Sequence, residues 1–147
     1  MKSGTIPKES APAFGELFEE FKSSIRGHEG GAIVTFTGTV RGDPKGHDAG
    51  CTKTRQIEIE AIEGVSSEFL QRIAAETEAR PGIHKVVIIH LTGTFELGEP
   101  MVHVLINSAH RGEGFKALED VVNRYKKETP LWKKEIYSDG TGRWISH

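Results

Sequence analysis

Across residues 11–26 the apolar side chains Phe14, Leu17, Phe18, Phe21 and Ile25 recur three or four positions apart. This spacing predicts an amphipathic helix, with Ser10 as its N-cap and Gly27 as its stop. Ahead of it, Pro7, Lys8 and Glu9 break any period, so residues 1–10 are expected to be a flexible N-terminus. Residues 30–40 switch to a period of two, with Thr35, Thr37 and Thr39 alternating against Val34, Phe36 and Val40, as in a strand. The polar run GDPKGHDAG (42–50) reads as a glycine-rich loop. Alternation resumes over residues 56–62, where Ile57, Ile59 and Ala61 oppose Glu58 and Glu60. That is the pattern of a half-buried strand.

A second helix is expected to open at Ser66 or Ser67, to carry Val65, Phe69, Leu70 and Ile73 on one stripe, and to end at Pro81-Gly82. Residues 85–91 and 101–107 read as strands, parted by a turn segment around Gly93 and Gly98. A third helix follows over residues 111–127, with Phe115, Leu118, Val122 and Tyr125 as its buried stripe. Pro130 ends it, residues 131–137 form a strand, and SDGTG leads to a short last strand around Trp144. This order predicts an α+β fold: a single domain over residues 11–147, with a mixed, mostly antiparallel sheet and about three helices.

Composition narrows the class. The chain has 147 residues, enough for one core, with 36% hydrophobic and 27% charged residues as in an ordinary globular protein. A formal net charge of -2 argues against a dedicated nucleic-acid binder. No apolar run approaches the roughly 20 residues needed to span a bilayer, and the polar start MKSGTIPKES lacks a secretory apolar region, so a cytoplasmic protein is expected. Cys51 is the single cysteine, which excludes an intramolecular disulfide and a multi-cysteine zinc site.

Three places hold candidate chemistry. Asn107-Ser-Ala-His-Arg111 runs from a strand into the third helix, and a helix N-terminus suits an anion. His110 and Arg111 oppose the dipole there unless something negative binds; the alternative is a surface pair with a snorkelling guanidinium. Residues 124–134 carry five cations and one acid. Lys127 fits a solvated helix end. Lys126 follows Val122 by four positions, at the margin of the apolar stripe, where a lysine can serve as nucleophile or proton carrier. The two-residue period beyond Pro130 does not choose between Lys133 and Lys134. Arg41, at a strand end and the mouth of the glycine-rich loop, is a third cation in a ligand-facing place.

Other polar residues read as structural. His103 reads as a satisfied core histidine, and no His/Asp/Glu set has a metal-binding spacing. Cys51 has Lys53 and Arg55 nearby but no fixed base beside it. Arg111 and Lys126 lie fifteen residues apart on one helix, roughly 22 Å at about 1.5 Å per residue. One small anion reaches both only if a second copy of the chain supplies one of them.

The runs GAIVTFTGTVR (31–41), IEIEA (57–61), SAHR (108–111), PLWKKE (130–135) and GRW (142–144) resemble the large, catalytic subunit of molybdopterin synthase, in order over residues 31–145. The resemblance implies an α/β hammerhead-type fold and a homodimer. It also implies a small ubiquitin-like partner whose Gly-Gly C-terminus carries a thiocarboxylate, two copies of which complete a heterotetramer. The implied reaction delivers sulfur from that tail to cyclic pyranopterin monophosphate, building the dithiolene of molybdopterin without a metal or other cofactor in this chain. By motif position, Lys126 and Lys133 match the catalytic lysines, which favours Lys133 over Lys134. Phe36 and Arg41 match pocket residues, and His110 and Arg111 match substrate-anion residues contributed by the neighbouring copy. Ile62, Val65 and Val122 depart from the residues common in the family, without touching the lysine and arginine chemistry. Two rivals remain: a non-catalytic basic patch at residues 124–134 that docks RNA or an acidic protein, and a sulfurtransferase using Cys51.

Overall fold

The computed structural model describes residues 1–27, 29–42 and 54–145; the loop expected at 42–50, apart from Gly42, and Cys51 with its neighbour Lys53 lie outside these. In chain order, β1 (Gly4–Pro7) leads through a single 3-10 turn at Lys8–Ser10 to α1 (Phe14–Ser24), β2 (Ala32–Thr39), β3 (Thr54–Ala61) and α2 (Val65–Glu78). Then come β4 (Ile83–Glu96), β5 (Pro100–Ser108), α3 (Arg111–Glu128), β6 (Leu131–Tyr137) and β7 (Gly142–Ile145). The strands form one sheet in the order β2-β5-β4-β3-β6-β7, antiparallel throughout, while β1 pairs parallel with β4. The expected α+β architecture with three helices is what the chain builds.

The centre of the sheet is buried on both faces, which is why β4 and β5 read as near-continuous apolar runs. On one face, Val86, Ile88, Val102, Val104 and Ile106 pack with Leu70, Ile73 and Ala74 of α2 and with Ala117, Val121 and Tyr125 of α3. On the other, Val87, Ile89, Leu91, Met101 and Leu105 pack with Leu17 and Phe21 of α1. None of the helices in the described residues is long and apolar enough to cross a membrane.

Four expectations are corrected. The first ten residues are not loose: Gly4 to Pro7 align with Ile89 to Thr92, and Ser3 Oγ accepts the Ile88 N–H at 3.0 Å. A four-residue strand is too short to show a period, so its signal lies wholly in its partner. Helix α1 has Ala13, not Ser10, at its N-cap, because Ser10 is taken up in the preceding turn. Strand β4 does not stop near Leu91. It runs through Gly93, whose φ of 125° only glycine adopts readily, and its far end changes partner from β5 to β3. The turn is left to Gly98, at φ 85°.

The fourth concerns α3. Its ends fall within one residue of expectation, but its buried face is Gly114, Ala117, Val121 and Tyr125, with Phe115 60% exposed. The small residues set this rotation. A Cβ on Gly114 would lie 2.6 Å from Ser108 Oγ and 3.3 Å from Val34, so the helix backbone sits close on β2 and β5. Arg111 consequently shares the exposed face of the helix with Phe115.

Candidate active site

A cleft of about 370 Å³ opens where β2, the C-terminal turn of α3 and the β6–β7 hairpin meet. Phe36 to Thr39 of β2 and Arg41 just beyond it form one wall, and Ile57, Met101 and Val102 line it from the sheet. Tyr125 and Lys126 enter from α3, Lys133 and Glu135 from β6, and Ile145 from β7. Four of the six candidate residues, Phe36, Arg41, Lys126 and Lys133, are therefore brought to one place. Three cations face one acid there, a balance that lowers the cost of holding an anion.

The pleat of β6 decides between the two neighbouring lysines. Antiparallel pairing sets Lys133 between Ile59 of β3 and Ile145 of β7, where it is 9% exposed and lines the cleft. Lys134 points to the other face, between Glu58 and Trp144, with its Nζ 5.7 Å from the Trp144 ring centroid. Successive strand residues alternate faces, so one of the two had to be lost to the cleft.

Glu135 shares the face of Lys133 and was not singled out from the sequence. Its side chain is 2% exposed; Oε2 accepts the Thr54 hydroxyl at 2.9 Å, and the Tyr137 hydroxyl lies 3.5 Å from Oε1. The available signal was its place two residues beyond Lys133. Tyr125 was read only as core. It is 2% exposed and meets the His90 ring edge-on, with centroids 5.7 Å apart and planes at 71°. Burial pushes its phenol well above the ordinary value, so it remains protonated at neutral pH.

Local hydrogen bonds hold the lysine-bearing turn. Ser66 Oγ accepts the Ile62 N–H at 3.0 Å and donates to Pro130 O at 2.7 Å, tying the start of α2 to the link between α3 and β6. Ser66 thus braces a turn instead of capping α2, whose N-cap is Gly64. The rest of the cationic run 124–134 is dispersed. Arg124 binds Glu128 at 2.7 Å and Glu76 at 3.0 Å, and Lys127 is exposed beyond it.

His110 and Arg111 do not reach the cleft of their own chain. They stand at the opposite end of α3, about 22 Å from Lys126 along fifteen helical residues. The His110 side chain is 83% exposed, with Nδ1 3.0 Å from Glu113 Oε1. His103, by contrast, is a core residue: 4% exposed, with Nδ1 2.8 Å from Thr37 Oγ1 and its ring 5.2 Å from that of Phe14. Burial lowers its pKa.

Comparison with known proteins shows the family to which the chain belongs. The sequence model of the MoaE protein family matches residues 16–128. The chain is 38% identical over 109 residues to a probable molybdopterin synthase of Haloferax volcanii, an alignment covering 74% of this chain and 41% of that protein. The chain thus spans less than half the length of that relative. With the molybdopterin synthase catalytic subunit of Bacillus subtilis it shares 35% identity over 127 residues, 86% of this chain and 77% of that one. The crystal structure of molybdopterin synthase from Staphylococcus aureus superposes with a TM-score of 0.82 at 30% identity, covering 100% of this chain and 99% of that chain.

Proposed function

The chain belongs to the MoaE protein family, and on that premise we propose that it is the catalytic subunit of a molybdopterin synthase, a sulfur-transferring enzyme of molybdenum cofactor biosynthesis. The observation that carries this reading is the convergence of Arg41, from just beyond β2, with Lys126 of α3 and Lys133 of β6 on one cleft. The substrates it assigns are both anionic: cyclic pyranopterin monophosphate and the C-terminal thiocarboxylate of a small ubiquitin-like partner. Placing cations around them offsets their mutual repulsion and holds them at attack distance.

In the reaction, the thiocarboxylate sulfur attacks an oxygen-bearing side-chain carbon of the pterin; a C–S bond forms as that carbon's C–O bond breaks, and the departing oxygen takes up a proton. The tail is then joined to the pterin as a thioester. Water cleaves the acyl C–S bond, leaving sulfur on the pterin and returning the tail as a carboxylate. Two such deliveries complete the dithiolene. Lys126 moves protons or stabilises the developing oxyanion, and Lys133 orients the tail. Phe36 forms part of the apolar wall beside them. Sulfur arrives on the partner, so Cys51 has no assigned role.

His110 and Arg111 enter from a second copy. Their distance from Lys126 forbids a shared ligand within one chain, and their exposure leaves them available to a neighbour. This assigns a homodimer, and a heterotetramer once two partners are seated. The rival basic-patch reading is weakened by the dispersal of residues 124–134: two of the cations enter the cleft, Arg124 is ion-paired, and Lys134 lies against Trp144. The test combines this protein, a thiocarboxylated ubiquitin-like partner and the pyranopterin, and follows the dithiolene product by mass spectrometry. Product formation is expected; its absence with an active partner overturns the assignment.

A further inference from the structure

We propose that Tyr125 is a further substrate-binding residue of this cleft, its phenolic hydroxyl donating a hydrogen bond to an oxyanion held beside Lys126. This deepens the reading above and rests on it.

Tyr125 lines the cleft immediately before Lys126 in the last turns of α3. Its ring is immobilised, being 2% exposed and packed edge-on against the fully buried His90. Among the described residues, its hydroxyl takes part in no hydrogen bond with the protein. The oxygen is not one of the sealed, unpartnered polar atoms of the described residues, so solvent reaches it and a ligand oxyanion can take the place of water there. An unbonded hydroxyl on a fixed ring, at the wall of a cation-rich cleft, is a donor set in place before its acceptor arrives.

The lysines and Arg41 supply charge on flexible stems. Tyr125 supplies direction on a side chain with two torsions, so little freedom is lost when the bond forms. The phenol's raised pKa keeps the proton on the oxygen, which makes it a donor and not a competing anion. The acceptor is an oxyanion, and two sources share that chemistry: the phosphate of the pterin and the carboxyl oxygen of the partner's tail.

The test is Tyr125→Phe in the full complex, which removes one oxygen and keeps the ring. KM for the pterin and KM for the partner are measured separately, alongside thermal unfolding. The expected result is a rise of about tenfold in one KM, the loss typical of a hydrogen bond to a charged group, with an unchanged or raised Tm. A rise confined to the pterin assigns the phosphate as acceptor; one confined to the partner assigns the tail. Unchanged KM values overturn the proposal, as does a clear fall in Tm, which marks the hydroxyl as structural. Wild-type protein that makes dithiolene while Tyr125→Phe behaves identically removes only this inference. A wild-type complex that makes none removes the functional reading and this inference together.

Discussion

Lys126 and Lys133 reach one cleft from two elements separated by only Thr129 and Pro130: the first sits in the last turn of α3, the second at the third position of β6. The reversal between helix and strand turns two sequence neighbours into facing side chains. Its position is held from outside by the Ser66 hydroxyl on Pro130 O.

The facing lysines predict a contrast along one strand. Lys126→Ala is expected to lower the rate of dithiolene formation by roughly a hundredfold or more, the scale of a lost proton-transfer group, without releasing the partner. Lys133→Ala is expected to impair turnover as well. Lys134→Ala, on the opposite face, is expected to stay within a few-fold of wild type. Single-turnover kinetics of all three variants check this, and equal losses at 133 and 134 contradict the assignment.

The length of α3 predicts complementation between copies. Arg111→Ala and Lys126→Ala are each expected to be inactive as pure dimers. Mixed and allowed to exchange subunits, they form hybrid dimers in which one of two sites regains a full set of residues. With random exchange, about a quarter of wild-type activity returns. Failure of the mixture to recover activity, with exchange demonstrated by mass, rejects a site built from two copies.

Close approach of α3 to the sheet predicts a cost at a residue with no chemistry. Gly114→Ala places a methyl 2.6 Å from Ser108 Oγ. The helix must lift or Ser108 must turn, and overpacking of this kind costs about 1–3 kcal/mol. Urea unfolding measures it. An exposed helical glycine replaced by alanine would be stabilised instead, so the sign of the change tests the observed face of the helix.

Burial of His103 predicts a pH dependence of stability. Its pKa lies below the ordinary value of 6.5 because burial disfavours the charged ring. As pH falls through about 6.5, the unfolded chain takes up this proton before the folded chain does. The fold therefore loses stability downward from about pH 6.5 toward the depressed native value, and keeps the full contribution above it. His103→Phe retains a ring against Phe14 and is expected to flatten the slope of unfolding free energy between about pH 7 and about pH 5. An unaltered slope assigns the pH response to other groups.

Much of this molecule was legible residue by residue, since periods of two and 3.6 are local. The alternation of Ile57 and Ile59 marked β3, and α3 ended within one residue of its expected limits. The motifs carrying Arg41 and Lys133 named those charged groups, and Lys126 was marked by its position ahead of the PLWKKE run and its place at the margin of the apolar stripe. What escaped depended on partners far away in the chain. Strand β1 has no pattern of its own and exists through its pairing with Ile89 to Thr92. The face of α3 followed the largest apolar residue, Phe115, in the sequence, whereas the sheet accepted the smallest, Gly114.

Apart from β1, the chain by itself determined which segments are helix or strand and which side chains bring positive charge, because both are written in local spacing and residue type. It did not determine where those charges meet. That was decided when β3 paired with β4 on one side and β6 on the other. This turned Lys133 into the cleft and sent Lys134 to Trp144. Long-range pairing sets register, and in a strand a shift of one residue exchanges the two faces.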